Sequence, residues 1–382
     1  MILKEKLIKW RQFLHEHPES AFEEVKTAEF ISKKLREMNI DVVENVGKTG
    51  VVGTLKVGDG DEVIGLRADM DCINMEEKTN LPYASKILGK MHGCGHDGHV
   101  AILLGAAKLL SERRNFNGTV RFVFQPAEEP GYGAKAMIED GLFERFPMNE
   151  IYGLHNDPSI PAGTMKTRKG GILASEDNFI VKIKGKGSHA SSPHLGVDPL
   201  VIASQIILGF QTIVSRNASP LDNIVISCTE LHTDGVRNAI PSNVEIKGDT
   251  RSYSSKMQEL METRMREIVK GVCEMNSAGW EFEYTHEFAP TINWEECVPY
   301  VVEAGENILG KENVDAECNP WMGSEDFGKY LEYIPGAFLF FGSGKESDNS
   351  IPLHNSLYDF NDDILVPSAE FFAELIRLRL LK

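Results

Sequence analysis

The spacing of hydrophobic and polar residues divides the chain into stretches of different character. Residues 1–38 show helical spacing with a break near His17 and Pro18, which predicts a helix pair. Between residues 51 and 154, short apolar runs alternate with helical patterns, which predicts a mostly parallel sheet with helices on both faces. The predicted strands are 51–57, 62–67, 119–124 and 150–154, and the predicted helices are 100–114 and 134–143.

The middle of the chain has a pattern of its own. Residues 178–184 alternate with period two, and the following segments predict the order strand, helix, strand, strand, helix, strand, which is the ferredoxin-like α+β arrangement. The chain then resumes with helices, a strand at 336–342 and a last helix from Pro367. We therefore predict an α/β catalytic domain formed by residues 1–175 and 290–382, interrupted by an inserted α+β domain at 176–289.

Composition narrows the class of protein. The 382 residues carry 40 basic and 57 acidic side chains, and the net charge of −17 argues against nucleic acid or an anionic membrane as a partner. The first residues are charged and amphipathic, unlike a signal peptide, and apolar runs such as VAILLGAA are too short to span a membrane. The six cysteines are scattered, which is not the pattern of a disulfide framework, so we expect a cytoplasmic protein.

Polar side chains follow the predicted strands. Asp69 and Asp71 follow one strand in GLRADMD, Glu128 and Glu129 follow another in FQPAEEPG, and His155 follows a third in IYGLHND. Ligands of open α/β sheets bind at the carboxyl ends of the strands, so we expect these side chains to converge. The loop MHGCGHDGH, at 91–99, and the late PLHNS loop with its histidine are expected to join them.

The residue types in this set are those that bind first-row transition metals. Zinc suits imidazole, thiolate and carboxylate ligands well, while manganese, cobalt and nickel are less specific alternatives. Glu128 and Glu129 are adjacent, and adjacent side chains on extended backbone point apart, so we expect one to bind metal and the other to face the reacting water. Asp97 is expected either to accept a hydrogen bond from a ligand histidine or to cap the following helix.

A different enzyme mechanism remains open on the residues alone. Cys94 could be a covalent nucleophile, with His96 or His155 as its base. A non-catalytic alternative is a metal-stabilised binding protein for peptides or acyl amino acids, which would require a fully ligated metal. The additional carboxylate of Glu128 argues against that alternative.

Five motifs in order resemble the M20 metallopeptidase superfamily: GLRADMD, MHGCGHDGH, FQPAEEPGYGAKAMIEDGLF, KGKGSHASSPH and GSEDFG. Within it they resemble the amidohydrolase branch, which includes hippurate hydrolases, N-acyl-amino-acid deacylases and auxin-conjugate hydrolases. The resemblance implies a zinc-peptidase-like catalytic domain with an inserted lid and dimerisation domain, and hence a homodimer. It also implies two divalent metal ions per subunit (Zn, Mn, Co or Ni) and hydrolysis of the amide bond of a small-molecule N-acyl amino acid.

The resemblance also assigns roles to individual residues. Glu128 is similar to the family's general base, and Asp69 to an active-site aspartate. His189 is similar to a histidine that in several relatives reaches into the partner subunit's site and stabilises the oxyanion. Substrate-binding positions correspond to Asn238 and Arg251. The implied metal ligands are Cys94, His96, Glu129, His155 and His354.

Two points stay open under this resemblance. In the wider superfamily a ligand histidine stands two residues before the active-site aspartate, whereas this chain has Arg67 there, so the role of Asp69 is undetermined. The substrate is also open, because a dipeptidase, a carboxypeptidase or an N-acetyldiaminopimelate deacetylase of the same fold fits the motifs.

Overall fold

The computed structural model describes residues 2–345 and 350–381, which form two compact units. The smaller unit consists of Leu173–Thr291 and Trp321–Glu325, and the other described residues form the larger unit. The sequence-based boundaries of the insertion, 176 and 289, differ from the first of these segments by two or three residues. No sequence feature indicated that 321–325 belongs to the smaller unit.

The first part of the larger unit contains a helix pair followed by alternating strands and helices. In chain order these elements are α1 (Leu3–Glu16), α2 (Val25–Glu37), β1 (Asp41–Val46), β2 (Gly50–Val57), β3 (Val63–Asp69), α3 (His96–Arg113), β4 (Gly118–Gln125), α4 (Gly133–Glu139), α5 (Leu142–Arg145), β5 (Glu150–Pro161), β6 (Met165–Lys166) and β7 (Gly170–Leu173).

The remaining elements follow in two groups. The inserted segment contains β8 (Glu176–Lys184), β9 (Ser188–His189), α6 (Pro199–Thr212), β10 (Ile224–Thr233), β11 (Ala239–Ile240), β12 (Asn243–Ser252), α7 (Ser255–Met275) and β13 (Gly279–Phe288). After it come β14 (Thr291–Asn293), α8 (Val298–Leu309), β15 (Val314–Asp315), α9 (Gly328–Leu331), β16 (Gly336–Gly344) and α10 (Leu365–Arg379).

The larger unit is built on one eight-stranded sheet with the order β1-β2-β4-β3-β5-β16-β6-β15. The neighbouring strands β4, β3, β5 and β16 run parallel, and antiparallel pairs flank them. This confirms the predicted α/β class with a mostly parallel sheet. The pattern did not predict β1, whose alternate positions Asp41, Val43 and Asn45 are exposed.

Helices cover both faces of this sheet, as the alternation along β16 demonstrates. Leu339 and Phe341 belong to a buried cluster with residues of α1, α2, α3, α8 and α10. Phe338, which points to the opposite face, packs against Phe327 directly before α9, with ring centroids 5.1 Å apart. The parallel strands thus lie between two helical layers, and their carboxyl ends meet at one edge.

Three predicted boundaries near that edge were wrong. The segment 134–143 is not one helix, because Gly141 adopts a φ of +82° and separates α4 from α5. Helix α3 begins at His96 rather than at residue 100. His155 lies within β5 rather than beyond it, because β16 continues to pair with β5 on both sides of this residue.

The smaller unit contains a four-stranded antiparallel sheet with the order β10-β12-β8-β13. Its connectivity is the predicted order of strand, helix, strand, strand, helix, strand. Its core combines alternate strand positions with one face of each helix, including Phe179, Phe210 and Met261.

Among the described residues, Pro199–Asn217 is the one helical stretch that is long and apolar enough to cross a membrane by length and composition. Sequence reasoning, which expected every apolar run to be too short to span a membrane, did not identify this stretch. The buried side of this helix, including Ile202 and Ile206, packs into the core of the smaller unit, while Val201 and Leu208 are exposed. Two such faces are typical of a helix that covers a sheet in a soluble domain.

Candidate metal centre

The five metal ligands implied by the sequence converge in the larger unit. The Cys94 Sγ atom lies 3.4 Å from Nε2 of His155 and 3.3 Å from Nε2 of His354. His354 Nε2 is also 3.5 Å from Oε2 of Glu129, whose Oε1 is 3.9 Å from Nε2 of His96. These atoms form overlapping groups that could hold metal ions, and Cys94 belongs to two of them. The chain therefore brings a thiol, three imidazoles and a carboxylate to one place.

Two buried atoms of this cluster suit a cation between them. His96 Nε2 and Glu129 Oε1 are buried, and neither has a hydrogen-bond partner among the described residues. Burying such atoms without partners is unfavourable, whereas a divalent cation would satisfy both. The other nitrogen of His96, Nδ1, lies 3.0 Å from the carbonyl oxygen of Asp71 and can donate to it, which leaves Nε2 free to bind metal. The donor set thus fits the implied metal.

The electrostatics of the cluster also suit a bound metal cation. Burial raises the pKa of the Cys94 thiol well above its usual range, and the Glu129 carboxylate raises it further. Burial also raises the pKa of Glu129, with His96 opposing the change. Burial therefore shifts both side chains toward their protonated forms, and a bound cation would favour the thiolate and the carboxylate.

Glu128 and Glu129 lie in a turn, and the expectation that their side chains point apart was wrong. Strand β4 ends at Gln125, Ala127 has a φ of +50°, and residues 128–131 form the turn. Oε2 of Glu128 consequently lies 3.8 Å from His96 Nε2, on the same side as Glu129. Glu129 also approaches His354, whereas Glu128 does not belong to the group that contains that histidine.

Asp69 is fully buried next to the cluster. It accepts a hydrogen bond from Arg67 Nη1 at 2.8 Å and lies 2.6 Å from His99 Nδ1. The His99 ring contacts the ring of His155 edge-on, with centroids 4.5 Å apart. Asp69 therefore contacts the cluster through His99, and Arg67 donates to Asp69 from the position two residues before it.

Comparisons with known proteins agree with this geometry. The model for peptidase family M20/M25/M40 matches residues 65–378. The chain belongs to this family. It is 41% identical to the hippurate hydrolase of Campylobacter jejuni, over 96% of this chain and 94% of that protein. It is also 38% identical to an N-acetylcysteine deacetylase of Bacillus subtilis, over 97% of this chain and 96% of that protein.

A solved structure extends this M20 relationship to the fold. A dinuclear metal-binding peptidase of the M20 family from Bacillus subtilis superposes with a TM-score of 0.86 at 33% identity. The match covers 99% of this chain and 98% of that one. The likeness supports two divalent metal ions in this M20 chain.

Sequence reasoning gave Asp71 no role, although its motif placed it at a strand end. Oδ1 of Asp71 lies 3.2 Å from His96 Nδ1, and Oδ2 accepts the backbone N–H of Glu129 at 3.1 Å. One carboxylate thus links two of the implied ligands. Only the three-dimensional structure of this M20 chain reveals that link, because Asp71 is 58 positions from Glu129.

Asp97 has neither of the two roles expected for it. It lies 2.8 Å from His15 Nδ1 and accepts a hydrogen bond from Arg11 Nη1 at 3.3 Å, and both partners are fully buried on α1. The N-cap of α3 is Gly95, without a side-chain hydrogen bond. The N-terminal helix of this M20 chain therefore anchors the residue that follows His96.

This contact predicts a pH dependence of stability. Burial alone would lower the pKa of His15, but Asp97 and Glu77 outweigh it and raise the pKa to about 9. The charged imidazole therefore stabilises the fold fully below pH 6.5, and this contribution is lost as the pH rises through about 9. A shift of this size corresponds to about 3 kcal/mol.

The measurement is urea unfolding of metal-free wild type and His15→Gln at several pH values. We expect the difference in unfolding free energy to shrink as the pH rises from 6.5 to 9. A difference that stays constant across this range would show that His15 is neutral in the folded protein.

The remaining predicted residues lie in the smaller unit, and the structure brings two of them together. His189 on β9 pairs with Ala239 on β11, and the N–H of Ala190 donates to the carbonyl of Asn238. Arg251 lies elsewhere, where it pairs with Glu176 at 2.9 Å and donates to Asp249 and Ser324.

Proposed function

We propose that this M20 chain hydrolyses the amide bond of N-acyl amino acids, releasing a carboxylic acid and an amino acid. The observation that carries the proposal is the convergence of five metal-binding side chains with one further carboxylate, that of Glu128, beside them. The names of both curated relatives describe the hydrolysis of an acylated amino acid. The chain's membership of a metal-dependent hydrolase family supports the same reaction.

Five side chains would hold two divalent ions. A bound pair of ions would polarise the scissile carbonyl and lower the pKa of a water molecule, so that a nucleophile forms at neutral pH. Cys94, whose Sγ atom lies beside both His155 and His354, would be one of the residues that hold the pair. Zinc, manganese, cobalt or nickel suits this mixture of sulfur, nitrogen and oxygen ligands. The proposed ligands are Cys94, His96, Glu129, His155 and His354.

Glu128 is the proposed general base. Its carboxylate would take the proton of the attacking water and then deliver it to the nitrogen of the departing amine. Glu129 is the better ligand of the two, because its oxygens approach both His96 and His354. Asp71 and Asp69 hold the surrounding histidines and would keep the reacting groups aligned.

The smaller unit would supply contacts to the substrate. His189, whose Nδ1 lies 2.7 Å from the hydroxyl of Ser191, would stabilise the oxyanion, and Asn238 is next to it. Arg251 would bind the substrate carboxylate. Because Glu176 and Asp249 already neutralise this guanidinium, an incoming carboxylate would have to share or displace them.

A substrate panel tests the proposed function. The metal-free protein is reconstituted separately with Zn²⁺, Mn²⁺, Co²⁺ and Ni²⁺ and assayed on N-benzoyl, N-acetyl, longer N-acyl and indole-acetyl amino acids. Dipeptides and N-acetyldiaminopimelate serve as rival substrates. We expect an acyl amino acid to have the highest kcat/KM with at least one metal, and a higher value for a dipeptide would favour the peptidase alternative.

We also propose a homodimer formed through the smaller unit. Val201 and Leu208, one heptad apart on α6, are 53% and 69% exposed, and Leu231 on the sheet-edge strand β10 is 50% exposed. An apolar helix face beside a free sheet edge is typical of an interface between subunits. In that dimer, His189 would act in the partner subunit's site.

Sedimentation equilibrium tests this dimer. We expect wild type to sediment as a dimer and Leu208→Asp to dissociate, because the change buries a charge in the interface. The matched control is Leu88→Asp in the larger unit, where Leu88 is 91% exposed. A monomeric wild type, or a dimeric Leu208→Asp variant, would contradict the proposal.

We infer a cytoplasmic location from the thiols. All six cysteines are free, and five of them are buried. Free thiols, one of them a proposed metal ligand, suit a reducing compartment. Small acyl amino acids are the proposed partners there.

A further inference from the structure

Ala127, the residue before Glu128 and Glu129, has a left-handed backbone with a φ of +50°. Residues other than glycine rarely adopt this conformation, because their Cβ atom crowds a backbone carbonyl. The chain uses it to leave β4 and to enter the turn that directs both carboxylates toward His96. A strained residue of this kind persists only where its surroundings hold it.

The loop itself holds the carbonyl side of Ala127. That carbonyl accepts the N–H groups of Tyr132 at 3.2 Å and Gly133 at 2.9 Å. The loop closes so tightly that a Cβ atom on Gly133 would lie 1.6 Å from the carbonyl oxygen of Pro126. The N–H of Ala127 points away from these contacts and needs an acceptor from another part of the chain.

Glu24 is that acceptor. Its Oε1 atom accepts the Ala127 N–H at 2.9 Å across a separation of 103 positions, and its Oε2 atom accepts the hydroxyl of Thr49 at 2.5 Å. The residue is fully buried and directly precedes α2, yet its side chain makes no capping hydrogen bond to that helix. Burial raises the pKa of Glu24 to about 7, although both hydrogen bonds oppose the rise. The side chain is therefore buried at a cost without serving its own helix.

We propose that Glu24 is a positioning residue for the Glu128–Glu129 turn. By accepting the N–H of Ala127, it fixes the left-handed residue that aims both carboxylates at the metal centre. The inference rests on the proposed function, since it assumes that Glu129 binds metal and that Glu128 transfers the proton. Glu24 itself contacts neither the substrate nor the metals in this role.

This role depends on the length of the side chain at position 24 and not on its negative charge. Glu24→Gln keeps the length of the side chain and an oxygen for the Ala127 N–H, and its amide NH₂ can donate to the Thr49 oxygen. Glu24→Asp keeps the charge but is one methylene shorter, so its oxygens cannot reach both partners. A positioning role therefore predicts that glutamine works at position 24 and that aspartate does not.

The first measurement is metal affinity, by competition between the protein and a chelator for Co²⁺ or Mn²⁺. We expect Glu24→Asp to bind metal about 10- to 100-fold more weakly than wild type, as is typical when a residue that orients a ligand is changed. We expect Glu24→Gln to stay within about 3-fold. In the assay with an acyl amino acid, kcat should fall with metal affinity while KM changes by less than about 3-fold.

A suppressor and a control separate positioning from folding. In an Ala127→Gly background the left-handed conformation is no longer strained, so Glu24→Asp should lose less than about 3-fold in metal affinity. Glu19→Gln is the matched control, because Glu19 lies in the same α1–α2 connection and its side chain accepts hydrogen bonds from Lys26 and Thr27 on α2. We expect this variant to lower the melting temperature without changing metal affinity.

Several results would overturn the proposal. One is equal metal affinity in Glu24→Asp and wild type, and another is a loss in Glu24→Gln as large as in Glu24→Asp. A loss that persists in the Ala127→Gly background would also overturn it. If wild type hydrolysed none of the acyl amino acids, the proposed function would fail, whereas the affinity comparison would still decide the role of Glu24.

Discussion

Glu128→Gln is expected to lower turnover of an acyl amino acid by about 10²- to 10⁴-fold, the usual contribution of a general base. The glutamine side chain has the same size but cannot accept a proton, so the attacking water would keep its proton. Metal content should be unchanged, because the proposed ligands do not include Glu128. The measurements are kcat by product release and metal per subunit by elemental analysis.

Glu129→Gln is the matched counterpart of that variant. Oxygens of Glu129 lie 3.9 Å from His96 Nε2 and 3.5 Å from His354 Nε2, so a neutral amide there should weaken metal binding. We therefore expect metal loss in Glu129→Gln and metal retention in Glu128→Gln. Near-normal turnover in Glu128→Gln, or metal loss in that variant alone, would show that the two roles are reversed or wrongly assigned.

Cys94→Ala is expected to abolish both metal binding and activity. The Sγ atom of Cys94 lies 3.4 Å from His155 Nε2 and 3.3 Å from His354 Nε2, so its removal takes away the thiolate donor between two of the proposed ligands. Treatment of wild type with a chelator should give the same inactive state, and Zn²⁺ or Mn²⁺ should restore activity to wild type but not to the variant. Elemental analysis and the amidase assay follow both effects.

The same experiment distinguishes a metal ligand from a covalent nucleophile. If Cys94 were the nucleophile, Cys94→Ala would keep its metal, and wild-type activity would resist the chelator but not iodoacetamide. Cys297→Ala is the control, because Cys297 is fully buried at the start of α8 and belongs to none of the donor groups. It should keep both metal and turnover.

Local sequence patterns predicted much of the centre. Motifs at strand ends indicated His155 and the glutamate pair, because a run of buried apolar residues that ends in charge requires compensation, and the glycine-rich loop at 91–99 added Cys94 and His96. The same reasoning placed Asp71 near the site without giving it a role. The pattern also missed the length of β5, since continued pairing with β16 extends that strand past His155.

The supporting contacts could not be predicted, because they join distant parts of the chain. Glu24 and Ala127 are 103 positions apart, and His15 and Asp97 are 82 positions apart. Each of these residues fits an ordinary helix end or loop when it is considered alone. The left-handed φ of Ala127 is equally hidden, since alanine gives no sign of the conformation that a glycine would have suggested.

The position of β16 has a consequence for biosynthesis. This strand pairs with β5, yet the ribosome makes it about 175 residues later, and His354 follows it. At about 5 to 20 residues per second, the nascent chain carries the open edge of β5, with His155, for roughly 10 to 35 s. Sheet closure and delivery of the last proposed ligand therefore wait until β16 and His354 have been synthesised, and we expect the full set of donors to capture metal only then.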